Sequence, residues 1–442
     1  MSKTLYEKLC RRDRLFKAWN TLSKNPSSSG LSGHTIEAFS KNLDFEINLL
    51  KKQLTTKSFK FSKVKGAKIP KGNNSTSFRT IRIQEVRDRI VVKAITILIS
   101  PIVEKKFKIK NEASFAYQTG LGPSKAFERI KSLYSSGHKF VLEADIIKFF
   151  DTIDKNFLLN EMVFLALPDD TLNNLITESL EQEIGNKELF TFEELQLFEL
   201  SETGIPQGSS LSPLLSNIYL SKFDEIMLKN DLGLVRYADD FVVMCRTNSE
   251  AKKAYNKVKE ILEGELKLEI HHLDNNDPKA KTKIVKPTQN PITFLSVVFD
   301  GNTIYPARKK YKELEENLLK LSLDSRISIV DYLTKYRLRI VGWISAFHFA
   351  EVERYFEKLE NLVNQDIYQG LKIRDWELKN EVKNKSGAKS LSDKQRKYSG
   401  IPSCKEILNK IRGSDNKSVE ESSKIFEKIR IEEVEKGIFE LV

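Results

Sequence analysis

The sequence predicts an α+β protein with a small antiparallel sheet between two helical regions. Apolar residues recur at helical spacing in residues 1–60 and again in residues 308–372. Between these regions, residues 140–145 form a short apolar run that is typical of a buried strand, and residues 234–245 form two such runs around a tight turn. We therefore expect helices and strands in separate parts of the chain.

The composition favours a folded protein with an anionic partner. Hydrophobic residues make up 40% of the 442 residues, enough for a core divided among several lobes. The formal net charge of +12 favours a polyanion, most simply nucleic acid, as the partner. A basic but otherwise ordinary enzyme has a similar charge, so the composition leaves both interpretations open.

The cysteines, histidines and apolar stretches bear on metal sites and on the compartment. Cys10, Cys245 and Cys404 lie far apart and form no CxxC pair, which disfavours a structural zinc site and disulfide bonds and suits a reducing cytoplasm. His271 and His272 have no ligand partners at useful spacing and are assigned to the surface. No apolar stretch is as long as a membrane span, and the first residues lack the apolar core of a signal peptide. We therefore expect a soluble, cytoplasmic protein without a membrane partner.

The first quarter of the chain is predicted to contain helices, a basic loop and a strand. A polar break at residues 25–30 separates two amphipathic helices, and Thr35 is a suitable cap for the second. Residues 61–80 carry several lysines around two glycines and lead into a strand near residues 78–83. Basic side chains on such a loop suit the phosphates of a nucleotide or a nucleic acid, although a solvated run of charge is equally consistent. An apolar helix then begins at Asp88.

The middle of the chain alternates glycine-bearing loops with apolar elements. Residues 115–124 form one such loop, a helix follows it, and the strand at residues 140–145 then ends in Asp145. A carboxylate there is costly unless it is paired or binds a cation. Residues 155–200 are helical and acidic and show no catalytic pattern. Residues 204–213 form a rigid, hydroxyl-rich loop before an apolar helix, either as an ordinary helix entry or with amides that face a substrate.

The hairpin at residues 234–245 carries Asp239 and Asp240 at its tip. Adjacent aspartates are common in surface turns, which is the simplest explanation of the pair. Carboxylates held this close repel each other unless cations neutralise them. Magnesium is usually held by one or two carboxylates plus substrate phosphates. Asp145 and this pair therefore fit nucleotidyl transfer, and they fit a two-metal nuclease equally well.

The last third is predicted to contain a second hairpin and a helical lobe. A strand at residues 293–299 is expected to pair with residues 303–305 across an Asp-Gly turn. The helical pattern then returns in residues 308–372. The polar, lysine-rich residues 375–400 indicate a linker or flexible loop, and a charged helix is expected near residues 418–437.

Three motifs in the middle of the chain resemble the palm of a reverse transcriptase. The chain carries, in this order, Asp145 followed by Phe150, then Pro206-Gln207-Gly208 with Ser212-Pro213 and Ser216-Asn217, and then Tyr237-Ala238-Asp239-Asp240. Further similarity to bacterial group II intron-type reverse transcriptases lies in Gly30-Leu31-Ser32-Gly33, Asp88-Arg89, Lys281-Thr282, Phe294-Leu295 and Gly342-Trp343. The resemblance covers about residues 5–370.

The resemblance implies a right-hand polymerase with fingers, an RRM-like antiparallel palm and a helical thumb, plus a short C-terminal extension. The expected division is residues 1–110 for the N-terminal helices and fingers, 111–306 for the palm with finger insertions, 307–372 for the thumb, and 373–442 for a polar linker and helical tail.

The resemblance also implies the roles of individual site residues. Asp145, Asp239 and Asp240 are expected to bind two Mg²⁺ ions, and Lys281 is expected to act as an acid near the departing pyrophosphate. The expected contacts to nucleotide and template are Lys71 and Arg79 on the triphosphate, Phe150 as a steric gate against a 2′-hydroxyl, Gln207 and Gly208 at the template or nascent pair, and Tyr237 of the acidic turn. Phe294 and Leu295 are expected to begin the turn that holds the primer, the primer grip. Phe150 also fits a plain core aromatic beside Phe149.

Departures from the group II pattern narrow the expected function. Arg79-Thr80-Ile81-Arg82-Ile83-Gln84 stands where the fingers strand usually reads Arg-Pro-Leu-Gly-Ile-Pro, Tyr117-Gln118-Thr119-Gly120 replaces Gly-Phe-Arg-Pro, and Phe294-Leu295-Ser296 replaces Phe-Leu-Gly. No Cys/His-rich endonuclease module follows the expected thumb. These changes argue against intron splicing and mobility and resemble the stand-alone, defence-associated bacterial reverse transcriptases.

We therefore predict an RNA-directed DNA polymerase that uses deoxynucleoside triphosphates to make a DNA copy of a cognate non-coding RNA in anti-phage defence. The alternatives are a retron-type enzyme, a maturase-like RNA-binding scaffold, and an RNA-synthesising or template-independent polymerase on the same palm.

Overall fold

The structure of the chain is a computed structural model that describes residues 3–24, 28–70, 78–198, 203–277, 279–376, 382–383 and 387–413. Lys71 and the helix predicted near residues 418–437 lie outside the described residues. The described residues up to Lys286 form one compact unit, and those from Pro287 form a second. Within the described ranges, every helix is too short or too polar to cross a membrane.

The N-terminal part of the first unit contains short helices, a two-stranded antiparallel sheet and one long helix. Their bounds are α1 (Leu5–Leu9), α2 (Arg12–Leu22), α3 (Ile36–Lys41), α4 (Leu43–Thr55), β1 (Lys65–Pro70), β2 (Phe78–Ile83) and α5 (Val86–Lys106). The predicted cap is confirmed, because Thr35 Oγ1 accepts a hydrogen bond from the Ala38 N–H at 3.0 Å. The apolar helix predicted from Asp88 is also confirmed as α5, which packs against α2.

The rest of the first unit contributes a four-stranded sheet and the helices that cover it. The helices are α6 (Pro123–Ser135), α7 (Phe149–Thr152), α8 (Asn173–Leu180), α9 (Phe192–Gln196), α10 (Ser212–Lys229) and α11 (Asn248–Lys259), with π-helical turns at Phe157–Phe164 and Glu260–Glu265 and a 3-10 turn at Lys187–Leu189. The strands are β3 (Phe140–Asp145), β4 (Gly233–Tyr237), β5 (Asp240–Cys245) and β6 (Lys283–Val285). They form an antiparallel sheet in the order β4-β5-β3-β6, which confirms the predicted strand and hairpin.

The four-stranded sheet is held by apolar contacts with its covering helices. Helices α6 and α10 pack against β4, and α11 packs against β3 and β5. The inner side chains Leu142, Phe241 and Val243 are fully buried. Burial of each such side chain contributes about 1.5–3 kcal/mol, so the strand ends that carry the aspartates are fixed to a stable core.

Residues 181–198 pack on the two-stranded sheet formed by β1 and β2. The Gly66 N–H donates to Asn186 Oδ1 at 2.7 Å, and the Arg82 guanidinium donates to the main-chain oxygen of Gln182 at 2.7 Å. The sequence assigned no chemistry to this stretch. Its contacts show a structural role, since they hold β1 and β2 against the remainder of the first unit.

The second unit begins with a three-stranded antiparallel sheet and continues into helices. The strands are β7 (Ile292–Phe294), β8 (Val297–Phe299) and β9 (Ile304–Pro306). They are followed by α12 (Arg308–Leu323), α13 (Ile329–Phe347), a 3-10 turn at Val352–Tyr355, α14 (Phe356–Ile373), the short strands β10 (Val382–Lys383) and β11 (Lys389–Ser390), α15 (Asp393–Tyr398) and α16 (Cys404–Gly413). The helical lobe predicted from residue 308 to 372 is therefore confirmed.

The first strand of the second unit differs from the prediction. The hairpin across the Asp-Gly turn is confirmed as β8 and β9. The single strand predicted for residues 293–299 is wrong, because β7 and β8 form a separate hairpin through Leu295 and Ser296. Both residues have positive φ, 50° and 64°, as a two-residue type I′ turn requires. The Leu-Ser pair contains neither glycine nor asparagine, so residue type gives no signal for this turn, and only the family resemblance placed the start of a turn at Phe294 and Leu295.

Part of the segment predicted as a linker is folded. Helix α15 and strand β11 lie within it, and α16 follows. The Arg396 side chain is buried and forms an ion pair with Glu360 of α14. The Leu391 N–H donates to the main-chain carbonyl of Asn364 at 3.1 Å. A few buried contacts thus fold a stretch whose composition is mostly polar.

Candidate active site

Three aspartates meet at one end of the four-stranded sheet. The register of β3 and β5 places Asp145 directly opposite Asp240. Tyr237 pairs with Asp240, so Ala238 and Asp239 form a two-residue turn between β4 and β5. Ala238 has φ of 59°, which is the positive value of the first residue in a type II′ turn. Positive φ in a residue with a Cβ is strained and is tolerated where the surroundings hold it.

The surroundings of the turn include a fully buried arginine. Arg236 of β4 donates from Nε to Asp224 Oδ1 at 2.6 Å and forms an ion pair with the same carboxylate through Nη2. Its Nη1 donates to the Ala238 carbonyl at 2.9 Å and to Asn217 Oδ1 at 3.1 Å. Arg236 therefore supports the strained turn from inside the protein, and α10 supplies the counter-charge.

A cleft of about 570 Å³ opens beside the turn and is lined by most of the predicted site residues. These are Asp145, Asp239, Lys281, Arg79, Phe150, Gln207 and Gly208. The cleft belongs to the first unit. Its volume suits a nucleotide-sized ligand, since ligand pockets commonly measure about 300–1,000 Å³.

The remaining predicted residues lie elsewhere. Asp240 is exposed at the start of β5, and neither it nor Tyr237 is among the described residues that line the cleft. Lys71 lies outside the described residues. Phe294 and Leu295 belong to the second unit, at the β7–β8 turn.

Two basic groups approach Asp145. Lys281 lies just before β6, whose register with β3 pairs Lys283 with Glu143 and therefore carries Lys281 toward Asp145. The Lys281 Nζ lies 2.7 Å from Asp145 Oδ2. His271 Nε2 lies 3.8 Å from the same oxygen. The assignment of His271 to the surface is thus incomplete: its ring is partly exposed but faces the acidic site.

The surroundings of Asp239 shift the pKa of its carboxyl. Burial raises its pKa above the usual value, and the nearby Asp145 carboxylate raises the pKa further. The cationic side chains of Arg79 and Arg236 act in the opposite direction. A buried carboxyl whose ionisation is disfavoured beside a second carboxylate forms a site that favours a bound cation.

The donor set at the turn fits a divalent ion of the magnesium type. Among the described residues, no three His, Cys, Asp or Glu side chains are close enough to form a complete metal site. Magnesium seldom needs such a set, because it is commonly held by one or two carboxylates together with substrate phosphates and water. Asp145 and Asp239 supply these carboxylates, and the cleft leaves room for phosphates.

The loop before α10 forms another wall of the cleft and requires a glycine. The Arg82 N–H of β2 donates to the Gln207 carbonyl at 2.9 Å. Gly208 has φ of 109°, and a Cβ there lies 2.7 Å from the Arg82 carbonyl oxygen. The close approach to β2 and the positive φ each exclude a side chain, so the loop lies directly on β2.

Phe150 lies at the first turn of α7 and faces the cleft. Its ring packs edge-on against Phe149, with centroids 5.3 Å apart. Phe149 is buried, whereas Phe150 is partly exposed and lines the cleft. Phe150 also packs against the apolar core, so its position is consistent with both a steric gate and a core aromatic, and the gate stays a prediction.

The sequence missed three residues that the structure brings to the site: Arg236, His271 and Tyr117. Arg236 carried one available signal, since an arginine inside an apolar strand needs a buried partner. The position of His271 depends on a hydrogen bond from its main-chain N–H to the Asp145 main-chain carbonyl, at 3.4 Å. No sequence pattern indicates this bond. Tyr117 was noted only as a departure from a motif.

Comparisons with known proteins agree with this geometry. The model of the family described as "Reverse transcriptase (RNA-dependent DNA polymerase)" matches residues 69–299, just over half of the chain. Protein YkfC of Escherichia coli (strain K12) is 25% identical over 333 residues, which cover 66% of this chain and 80% of YkfC. The group II intron-encoded protein LtrA of Lactococcus lactis subsp. cremoris is 27% identical over 274 residues, which cover 60% of this chain.

Two of these similarities cover less than half of the other protein's length. The alignment with LtrA spans 42% of that protein, less than half of its length. A chain of the partial Cas6-RT-Cas1–Cas2 complex is 23% identical and is similar over 59% of this chain and 43% of its own length, with a TM-score of 0.35.

The family match includes β2, the cleft and all three aspartates. The predicted α+β, right-hand polymerase fold with an antiparallel palm is confirmed by that match, while the residue bounds of fingers, palm and thumb stay predictions. The chain therefore belongs to the reverse transcriptase family of RNA-directed DNA polymerases.

Proposed function

We propose that this chain copies RNA into DNA by nucleotidyl transfer at the cleft beside the acidic turn. One observation carries the proposal: the β3–β5 register brings Asp145 next to Asp239 and Asp240 within the segment that matches the family. The carboxylates, the basic cleft residues and the volume of the cleft all support a nucleoside triphosphate as substrate.

We assign the metal-holding role to Asp145 and Asp239, with Asp240 as an additional ligand from its position opposite Asp145. Two Mg²⁺ ions, when bound, supply activation of the primer 3′-hydroxyl and stabilisation of the leaving pyrophosphate. The protein holds the carboxylates in place through the sheet register and through Arg236. Asp239 is half-buried at the wall of the cleft.

Arg79 is proposed to bind the triphosphate, because it lines the cleft and a guanidinium can form two parallel hydrogen bonds with a phosphate. Lys71 stays a predicted second contact. Gln207 and Gly208 are proposed to face the template or the nascent pair, and Tyr237 stays a predicted contact to nucleotide or template. Phe294 and Leu295 stay the predicted primer grip.

Lys281 is proposed to donate a proton to the departing pyrophosphate. Its Nζ contacts Asp145 Oδ2 at 2.7 Å, so a charged ammonium lies at the reacting end of the cleft. Donation requires the ammonium to leave Asp145 for the substrate phosphates. Because the Lys281 side chain is largely exposed, such a movement disturbs no core packing.

We further propose that the template is a cognate non-coding RNA and that the enzyme acts in bacterial anti-phage defence in the cytoplasm. The motif departures at residues 79–84 and 117–120 support this assignment over intron mobility. Unpaired Cys10, Cys245 and Cys404 suit a reducing compartment. A maturase-like RNA-binding scaffold without DNA synthesis stays the second candidate.

Primer extension tests the proposed activity. The purified chain should extend a labelled primer on an RNA template with deoxynucleotides and Mg²⁺, and it should fail without template or with ribonucleotides. Asp145→Asn and Asp239→Asn should each reduce extension at least about 1,000-fold, on the scale of losing an essential catalytic group. Asp170→Asn, at an exposed aspartate of the same unit, is the matched control. Extension that survives both substitutions would refute the catalytic assignment.

Two further measurements separate the finer alternatives. Phe150→Ala should increase ribonucleotide incorporation if Phe150 excludes the 2′-hydroxyl, and an unchanged ratio would remove that assignment. Sequencing of the RNA and DNA that co-purify with the chain identifies the template. A scaffold role is indicated instead if Asp239→Asn leaves the biological activity intact.

A further inference from the structure

Tyr117 occupies a strained position at the mouth of the cleft. Its φ is 61°, in the left-handed region that residues with a Cβ rarely adopt. The side chain lines the cleft together with Asp239, Arg79 and Phe150, and 53% of its surface is exposed. Strained backbone conformations of this kind cluster at functional sites, where the surrounding structure holds them.

The backbone around Tyr117 is fixed to the hairpin that carries the aspartates. The Arg236 N–H donates to the Ala113 carbonyl at 2.7 Å, and the Phe115 N–H donates to the Arg236 carbonyl at 3.0 Å. These bonds attach the segment to the edge of β4. The Asn217 side chain donates to the Ala116 carbonyl at 3.0 Å. The conformation of Tyr117 is therefore imposed by both the hairpin and α10.

Side-chain hydrogen bonds reinforce this attachment. Arg236 Nη2 donates to Ser114 Oγ at 2.8 Å, and Gln118 Nε2 donates to the Ser114 carbonyl at 2.9 Å. The buried arginine that supports the acidic turn thus also supports the segment that presents Tyr117. One network positions the carboxylates and the aromatic ring relative to each other.

The phenol of Tyr117 is uncharged near neutral pH. Partial burial raises its pKa, and the neighbouring Asp239 and Tyr237 raise it further, while Arg79 acts in the opposite direction. A neutral phenol is a poor partner for a triphosphate, which Arg79 is suited to bind. Its flat face is suited to a base or a sugar, since nucleic-acid bases stack on aromatic side chains regardless of sequence.

We propose that Tyr117 contacts the substrate directly and packs its ring against the nucleoside part of the nascent base pair. This inference rests on the proposed function and adds a residue that fixes the orientation of the incoming nucleotide relative to Asp239. The strain at Tyr117 is the cost of directing the ring into the cleft.

Single-turnover extension with varied nucleotide concentration tests the contact. Tyr117→Ala should raise the apparent Kd for the deoxynucleotide about 10-fold to 100-fold, the range expected for loss of one base–aromatic contact, and should change the maximal rate by less. Tyr117→Phe keeps the ring and should stay within about threefold of the wild type. Tyr398→Ala removes a tyrosine that is 81% exposed in the second unit and should leave Kd unchanged.

A glycine variant separates the ring from the backbone conformation. Tyr117→Gly should lose the same nucleotide affinity as Tyr117→Ala but melt about 1–3 °C higher than it, because glycine accepts a positive φ without strain. If Tyr117→Gly melts no higher than Tyr117→Ala, the strain argument is wrong.

Other outcomes overturn the contact itself. An unchanged Kd in Tyr117→Ala, with or without a lower melting temperature, makes the ring a structural element only. Equal losses in Tyr117→Phe and Tyr117→Ala assign the effect to the hydroxyl and refute the packing. A wild type that extends no primer refutes the proposed function instead. In that case, nucleotide binding is measured as the rise in melting temperature that a deoxynucleotide with Mg²⁺ causes. An equal rise in the wild type and in Tyr117→Ala, including no rise in either, overturns the inference.

Discussion

The buried pair of Arg236 and Asp224 allows stability and catalytic geometry to be separated. Both side chains are almost fully buried, and four hydrogen-bond acceptors surround the guanidinium: the Asp224 carboxylate, Asn217 Oδ1, Ser114 Oγ and the Ala238 carbonyl. Arg236→Met removes the cation and leaves the Asp224 carboxylate buried without it. Breaking a buried ion pair in this way costs about 3–5 kcal/mol, so we expect a loss of unfolding free energy of that size.

The double variant Arg236→Met with Asp224→Leu should recover part of the stability. It removes the uncompensated charge, and buried pairs replaced by apolar groups are often close to neutral. The Ala238 carbonyl and Asn217 still lose their donor, at about 1–3 kcal/mol for buried groups left unsatisfied. We therefore expect the double variant to be about 1–3 kcal/mol less stable than the wild type.

The extension rate of the two variants should fall alike, although their unfolding free energies differ. The strained turn at Ala238 loses its internal support in both, so Asp239 is no longer held at its position. Misplacement by about 1 Å costs on the order of 100-fold in rate. We expect the maximal extension rate to fall by about that factor in the single and the double variant alike. A double variant with the rate of the wild type would show that Arg236 serves packing only.

The assay must report on the first unit alone. The chain has three tryptophans, Trp19, Trp343 and Trp376, and only Trp19 belongs to the first unit. Urea unfolding followed by Trp19 fluorescence, in a background with the other two changed to phenylalanine, measures the relevant transition. Glu225→Gln is the matched control, because Glu225 follows Asp224 on the same helix but forms an exposed ion pair with Lys229. It should cost at most about 1 kcal/mol.

Three further predictions concern glycine, turn and pH effects. Gly208→Ala should destabilise the first unit by about 2–4 kcal/mol and reduce extension, because it combines a positive φ with a contact of 2.7 Å to the Arg82 carbonyl. Gly120→Ala, with positive φ but open space around it, should cost about 1 kcal/mol, and equal urea midpoints for the two variants would contradict the contact argument. Ser296→Gly should stabilise the second unit by about 1 kcal/mol, seen as a rise in melting temperature, because its φ is 64°; a fall would refute the strain. Burial raises the pKa of Asp366 to about 6, so the folded state favours the protonated acid and stability falls as pH rises from about 4 through 6. Asp366→Asn should therefore gain melting temperature over the wild type between pH 4.5 and 7.5, and a constant difference would rule out this linkage.

The elements that were predicted correctly have strong local patterns. The strand before Asp145 and the hairpin around Asp239 consist of apolar runs whose flanks contain turn residues, so their own sequence determines them. Helix α5 has a long apolar pattern with Asp88 near its start. Asp145, Asp239 and Gln207 come from separate motifs and line one cleft, whereas their roles stay predictions.

The errors share a different physical origin. Leu295 and Ser296 take up positive φ because β7 and β8 pair on either side of them, and their side chains give no sign of it. The folded residues around Arg396 depend on Glu360, a partner 36 positions away. His271 was assigned by spacing in the sequence, whereas its contact with Asp145 depends on strand alignment. In each case a tertiary contact overrides a weak or absent local preference.

The sequence by itself determined the family, the acidic positions and the order of the motifs, because these depend on residue type and spacing. Only the tertiary structure decided how the carboxylates are held and what faces them. Arg236 reaches Ser114 across 122 positions, and Lys281 reaches Asp145 across 136. Such contacts arise from strand register and helix packing, which bring distant residues together without leaving a local pattern. The same register turns Tyr117, a departure from a motif in the sequence, into a wall of the site.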